Sequence, residues 1–305
     1  VATGAATAWD PEPSGGVNAL LMVGNTLYVG GEFWSIGGRQ RSAIAAVDAT
    51  TGAVSEWDAH LENGWVNALA VRGSTVYVGG LFTGFGGQPR TSLAAFDVAT
   101  GAVTAWAPVG SRVYSRVPPR YDGLAVHDST VYVTGIFGEL NGEPRNGLAA
   151  VDAATGAVRP WNPWPSGPAI CLVSRDEALY AGGYFWVGAL DHISGASLWK
   201  VTGDNSVDAL AVTGNTVYAG GRFQHLGAEM RLGLAALDAA TGAATSWAPE
   251  VTGGGVRALD AYDGMLYAGG TFSAMAGVPR PYLAVLSIES AGAPKPREGA
   301  PLSAE

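Results

Sequence analysis

The sequence predicts an all-β fold, a six-bladed β-propeller of four-stranded antiparallel blades, and three observations carry that prediction. A T-V-Y-V-G-G segment or a close relative recurs six times, at Tyr28, Tyr77, Tyr132, Tyr180, Tyr218 and Tyr267. A D-x-x-T-G turn recurs at residues 48–52, 97–101, 152–156 and 238–242, and five residues after its glycine stand Trp57, Trp106, Trp161 and Trp247. The chain is turn-rich and weakly charged, with 45 Gly among 305 residues and 14% charged residues. Repeats of this period belong to arrays whose units bury their faces only against their neighbours.

Residues 66–108 give the clearest unit, with β-type runs at 66–71, 75–82, 93–97 and 102–106. The first two are joined through Arg72-Gly73-Ser74, echoed by Gly24-Asn25, Asp128-Ser129, Gly214-Asn215 and Asp263-Gly264, which are hairpin residues able to take positive φ. In the D-x-x-T-G turn, Asp accepts turn N–H groups and Gly takes the left-handed conformation. The regular Gly-to-Trp spacing predicts that each indole docks in the same groove between units. Between the second and third runs lies a longer loop, F-x-x-x-x-G-x-x-R, whose Arg recurs at Arg41, Arg90, Arg145, Arg231 and Arg280. An Arg in five of six units reads as a structural contact made in every blade.

The sixth unit ends after residues 283–288, while the chain opens with Thr3, Gly4 and Trp9 at the spacing of the missing strand. The N-terminal strand is therefore expected to close the sixth blade and remove an exposed sheet edge. This gives one propeller domain over residues 1–290 and a Pro/Ala/Gly-rich tail over 291–305. The first residue is Val1, so a removed leader or upstream sequence is expected.

Composition excludes several functions. A formal charge of −9 and pI near 4.9 oppose nucleic acid and anionic membranes as partners. No apolar run reaches the roughly 18 residues of a membrane-spanning helix. Cys171 is the single cysteine, so an internal disulfide and a cysteine zinc site are excluded, and its apolar neighbours mark it as a small buried hydrophobe. No nucleophile elbow, HExxH, P-loop or dinucleotide fingerprint occurs. Asp191-His192 has the form of a dyad, but Asp191 aligns as the ordinary turn aspartate of its unit.

With these motifs in place, the chain resembles the bacterial delta-sixty-repeat propellers, whose units carry the G-G-x-F-x-x-x-x-G-x-x-R stretch present here from Gly79 to Arg90. The resemblance covers almost the whole chain. It implies a secreted or cell-surface propeller and transfers no shared activity. The A-x-D-x-x-T-G segment also looks like the tryptophan-docking motif of quinoprotein dehydrogenases. The Gly-to-Trp distance is one residue longer here and a vicinal cysteine pair is lacking, so pyrroloquinoline quinone is not expected.

Function is expected where single units depart from the pattern. The Tyr-to-Tyr spacings are 49, 55, 48, 38 and 49. The long one reflects an insertion over residues 110–120 carrying Arg112, Tyr114, Arg116 and Arg120, and the short one the loss of the long loop in blade 4. Chain direction puts both changes on one face, predicting a notch over blade 4 bordered by Trp164, Trp186 and His225. Aromatic faces with guanidinium donors suit a sugar, an aromatic ligand or an anion; the alternative is that Trp186 and Trp164 simply cover a gap and the arginines are solvated. A third departure concerns the axis: the second position of each inner strand is Asn18, Asn67, Asp122, Ile170, Asp208 or Arg257. Asn18, Asn67, Asp122 and Asp208 supply oxygens of the kind Ca²⁺ accepts, though Asn and Asp also cap turns through their own backbone. The leading expectation is an extracellular ligand-binding or scaffold propeller, a monomer that recognises a glycan, small molecule or protein through its loop-rich face. The alternative is a metal-assisted hydrolase or lyase with its site at the channel mouth. Six-bladed lactonases and strictosidine-synthase-like enzymes place a metal or catalytic group there, a resemblance of architecture alone.

Overall fold

The computed structural model describes residues 10–111, 118–163, 168–175 and 178–288, and every regular element among them is a β-strand. Six inner strands appear in order: Val17–Val23, Trp65–Arg72, Arg120–His127, Ala169–Arg175, the second half of Ser197–Thr213, and Val256–Tyr262. Each pairs antiparallel with the strand that carries the repeat tyrosine, as in Ala70 opposite Tyr77 and Leu124 opposite Val133. That strand pairs in turn with a short third strand, for example Thr75–Leu81 with Leu93–Asp97. Left-handed residues close the first hairpins, with φ of 56° at Gly73, 48° at Asp128 and 52° at Gly214. The D-x-x-T-G turns form as expected: Asp97 Oδ1 accepts from the Ala99 and Thr100 amides and the Thr100 hydroxyl, and Gly101 takes φ of 70°.

The fourth run is shorter than the sequence predicts. In four blades it touches the third strand by an isolated bridge, Val47 to Val54, Phe96 to Val103, Val151 to Val158 and Leu237 to Ala244. The repeated arginine completes what the ladder leaves undone. Its two terminal nitrogens donate to the carbonyl of the preceding residue and to one on the fourth run: Arg41 to Gln40 and Ser55, Arg90 to Pro89 and Thr104, Arg145 to Pro144 and Arg159, Arg231 to Met230 and Thr245. The structural reading of this arginine thus holds in the four blades where it lies against a described fourth run.

Blades join through a joint that repeats. The indole N–H donates to a turn carbonyl of the next blade, Trp57 to Gly101 at 3.1 Å, Trp106 to Asp152 at 3.0 Å and Trp161 to Asp191 at 2.8 Å. The repeat tyrosine stacks edge-on against that indole and reaches the same turn, Tyr77 to the Ala153 carbonyl at 2.7 Å and Tyr132 to the His192 carbonyl at 2.9 Å. A glycine of the tyrosine strand then admits a side chain from the next inner strand. A Cβ on Gly30, Gly182 or Gly220 would lie 2.6, 2.7 or 2.6 Å from a methyl of Val66, Val207 or Val256. Five hydrophobic clusters fill the five successive joints from blade 1 to blade 6.

Blade 4 differs as its sequence suggests. Five blades carry a small flap hairpin in the long loop, such as Ser35–Ile36 with Arg39–Gln40 and His225–Leu226 with Glu229–Met230. Blade 4 has none. Its single strand Ala178–Asp191 contains Phe185 at φ of 66° and brings Trp186 against Gly183, so the chain reverses there with no loop. Its fourth strand is a full ladder, with Trp186 opposite Thr202 and Ala189 opposite Trp199. Trp199, whose N–H donates to the Ala239 carbonyl at 2.8 Å, is the docking indole of this blade. The spacing rule misses it because it follows Gly195 by one residue fewer than in the other units.

The series does not close among the described residues. No hydrophobic cluster there joins blade 6 to blade 1, and the closing strand at Thr3 to Trp9 lies outside them. The tail lies outside them as well.

Two expected outcomes follow from these joints and turns. Trp106→Ala should lower stability by about 3–5 kcal/mol, because a buried indole leaves a cavity that the joint cannot fill; Trp106→Phe, which keeps most of the volume and removes the N–H, should cost about 1–3 kcal/mol for the carbonyl left unpaired. Urea denaturation midpoints separate the two. The carboxyls of Asp48, Asp97, Asp152, Asp191 and Asp238 are held below the ordinary aspartate range by hydrogen bonds, led by the Thr51 and Thr155 amides at Asp48 and Asp152 and by the Ser74, Ser194 and Thr241 hydroxyls at the others. A pKa lowered by folding stabilises the fold above the unfolded value, about 3.9, and that contribution is lost as pH falls through the lower folded values. The urea midpoint should therefore drop as pH is lowered below about 4, and Asp97→Asn should flatten the drop.

Candidate functional site

Residues of all six inner strands line one funnel of 920 Å³. Every inner strand skips one residue in its pairing, between Val17 and Ala19, Val66 and Ala68, Tyr121 and Gly123, Ala169 and Cys171, Val207 and Ala209, and Val256 and Ala258. The skipped residues are Asn18, Asn67, Asp122, Ile170, Asp208 and Arg257. A β-bulge re-aims the side chain it carries. Here it collects all six on the lining of the funnel. The sequence pattern located these residues, and the bulge is the reason they converge.

Across blades 1 to 3 they form a chain of donors and acceptors. Asn18 Nδ2 donates to Asn67 Oδ1 at 3.3 Å, Asn67 Nδ2 donates to Asp122 Oδ1 at 3.2 Å, and Arg120 pairs with the Asp122 carboxylate at 2.7 Å. The same two amides also donate to the Val66 and Tyr121 carbonyls across the joints. Asp208 stands apart on blade 5, 3.9 Å from Arg222. These contacts work against a common oxygen cage for Ca²⁺: amide and guanidinium donors already occupy the side-chain oxygens of Asn67 and Asp122, and Asp208 faces a different cation. Among the described residues no group of three or more His, Cys, Asp or Glu converges as metal ligands.

The notch is present, but its aromatic residues differ from those expected. Trp186 is 3% exposed and packs with Ala169 and Ala181, so its face is not open to a ligand. Removal of the flap forces the tight reversal, and the reversal turns outward the two residues before Trp186. Tyr184 and Phe185 are 48% and 58% exposed, and Tyr184 lines the funnel. Their sequence signal was position: Tyr184 follows the Gly182-Gly183 pair where the other blades carry Glu32, Leu81, Ile136, Arg222 and Thr271. His225 sits exposed on the blade 5 flap, its Nδ1 2.9 Å from Asp204 Oδ2. Trp164, Arg112, Tyr114 and Arg116 lie outside the described residues.

Opposite the funnel mouth, His127 and His192 stack at 3.9 Å in the joint between blades 3 and 4. Burial, and then the neighbouring His127, lowers the His192 pKa. Asp191 serves its turn, accepting from the Ile193 and Ser194 amides, and forms no dyad with His192. Cys171 packs into the next joint, where burial pushes its thiol pKa up. No helix of the described residues is long and apolar enough to cross a membrane.

No family model matches the chain, and no curated protein matches it. Solved structures do. The computationally designed Ika8 protein is 16% identical, with 89% of this chain and 71% of that one covered and a TM-score of 0.53. A chain of the Mitotic Checkpoint Complex is 17% identical over 86% of this chain and 72% of that one, with a TM-score of 0.57. The protein is a β-propeller. At these identities the likeness is one of fold, and chemistry has to be read from the site.

Proposed function

We propose that this propeller is a binding scaffold that takes a protein segment at the funnel mouth on its flap-bearing face. One observation carries the reading: a single blade lacks its flap, and the gap presents Tyr184 and Phe185 beside a funnel lined by all six inner strands. Exposed aromatic side chains next to a concave, mixed polar and apolar surface are the usual anchors of protein recognition. The similar chain of the Mitotic Checkpoint Complex is part of a protein assembly. Glycan recognition is the second reading, favoured by the same two rings, which could stack on a pyranose. A secreted or cell-surface setting is part of the proposal and comes from the family resemblance. The hydrolase or lyase reading fits less well, since Asp122 is paired with Arg120 and Asp208 lies toward Arg222 on blade 5.

The proposal includes a ring of six blades closed between blade 6 and blade 1. What supports it is the fit of two unmatched halves of the repeated joint. Val66, Tyr121, Ala169, Val207 and Val256 are at most 1% exposed, whereas Val17, at the same position, is 42% exposed. Gly269, equivalent to the glycines that admit those side chains, has nothing nearer its would-be Cβ than Ala258 Cβ at 3.8 Å. Val17 is the side chain that Gly269 lacks.

For the scaffold, Tyr184→Ala and Phe185→Ala should each weaken capture of a bound protein or glycan at least about tenfold without moving the thermal midpoint, the usual size for an aromatic anchor. Unchanged binding in both would remove the notch from the site. For the ring, Val17→Cys with Gly269→Cys in a Cys171→Ala background should form an intramolecular disulfide, as Gly30→Cys with Val66→Cys should at a formed joint. A control pair that oxidises beside a Val17 and Gly269 pair that stays reduced would show the ring open.

A further inference from the structure

We propose that the blade 5 and blade 6 side of the funnel mouth binds an acidic peptide segment, one carboxylate held by Arg222 and Arg257 and a neighbouring aliphatic side chain inserted in the shaft below. This rests on the scaffold reading above and adds the chemistry of the partner.

The two sides of the mouth differ in what they leave unsatisfied. On blades 1 to 3 the chain from Asn18 to Arg120 closes on itself, each amide and the carboxylate having partners within the protein. On blades 5 and 6 two guanidinium groups stand with almost none of their donors in use. Arg257 is exposed and makes no hydrogen bond or ion pair among the described residues, although its bulge aims it at the funnel. Arg222 has 53% of its side chain exposed, and its contact with acid is Asp208 at 3.9 Å, beyond hydrogen-bond length. Its Cγ lies 2.7 Å from where a Cβ on Gly255 would be, so the side chain crosses the backbone two residues from Arg257. Arg257 on the funnel lining and Arg222 beside the funnel-lining Asp208 form a site for a carboxylate at the rim, which their N–H donors can grip in pairs.

Their setting selects the partner. In a chain of net charge −9, an acidic segment is repelled by most of the surface and finds opposite charge here, which favours one docking orientation. Below the rim the wall carries Leu124, Leu172, Leu210 and Leu259, with Asp260 the polar side chain next to Leu259 and no side-chain donor among these five. A uronate chain would satisfy the arginines and leave this shaft empty. A peptide with Glu or Asp beside Leu, Ile or Val meets both.

The test is fluorescence anisotropy with a labelled Gly-Ser-Glu-Leu-Glu-Leu-Ser-Gly peptide, its counterpart with Gln in place of Glu, and oligogalacturonate as competitor. The expected result is saturable binding of the Glu peptide, weakened at least about tenfold by Arg257→Gln and by Arg222→Gln, weakened by salt, and unchanged by Arg175→Gln at the hairpin-turn end of blade 4. Thermal midpoints of the variants check the fold. Equal affinity for the Glu and Gln peptides, no binding of either, or arginine-dependent binding of oligogalacturonate alone would each overturn the proposal. Failure of the scaffold reading is distinguishable. Binding that depends on Tyr184 and not on Arg257 keeps the notch as a docking site and discards the acidic partner, whereas binding that ignores Tyr184 and Phe185 moves the site elsewhere.

Discussion

The fold depends on one contact repeated along the chain: a tryptophan N–H, with a tyrosine hydroxyl beside it, donating into the D-x-x-T-G turn of the next blade. Each partner is necessary for a separate physical reason. The turn offers carbonyls because its aspartate side chain has taken over its amides. The indole supplies the largest apolar surface available to fill a groove between two sheets, and its single donor fixes the distance at which they stand. Glycine in the tyrosine strand lets the next inner strand approach closely enough for that donor to reach. A buried indole would otherwise hold an unpaired N–H, so the joint is stable only with turn, indole and glycine together.

This joint also builds the site, because it fixes what lies at the axis. Inner strands drawn together at the centre would point their second residues into the joints were it not for the bulge each strand carries. The bulge takes six positions out of the apolar packing, although Asn18 and Asn67 still bridge to the next blade through the Val66 and Tyr121 carbonyls, and these are the places where the repeats disagree: Asn, Asn, Asp, Ile, Asp and Arg. Variation at a position the scaffold has released is where partner recognition can be written without loss of stability.

The repeated parts of the molecule were legible in the sequence, since a strand, a turn glycine and a docking indole are dictated locally. Tyr77, Gly101 and Trp106 could be assigned from spacing alone, and the position of the axial residues followed from alignment of the units. The failures have local causes. Trp199 was missed because it follows Gly195 by one residue fewer than the other docking indoles follow their glycines, and Trp186 was misjudged because the lost loop leaves it at the start of the third strand, packed on Ala169 and Ala181. The exposed faces of Tyr184 and Phe185 come from a reversal tighter than any sequence motif in the other blades announces. The pairing of Asp122 with Arg120 was equally hidden: the insertion announces Arg120 as one of three arginines, but which of them meets a carboxylate is set by the fold, and a carboxylate read in isolation looks available for a metal.

A repeat scaffold gives every blade the same surface, so a single partner can be bound only where symmetry is broken. Blade 4 breaks it on the outside of the mouth by losing a flap, and the axial ring breaks it on the inside by placing self-paired groups on one arc and uncommitted guanidinium groups on the other. These two breaks adjoin, since Tyr184 and Arg222 occupy the same repeat position on consecutive blades. In the binding reading proposed above, their adjacency makes one site of two breaks in the repeat and puts recognition on three consecutive blades.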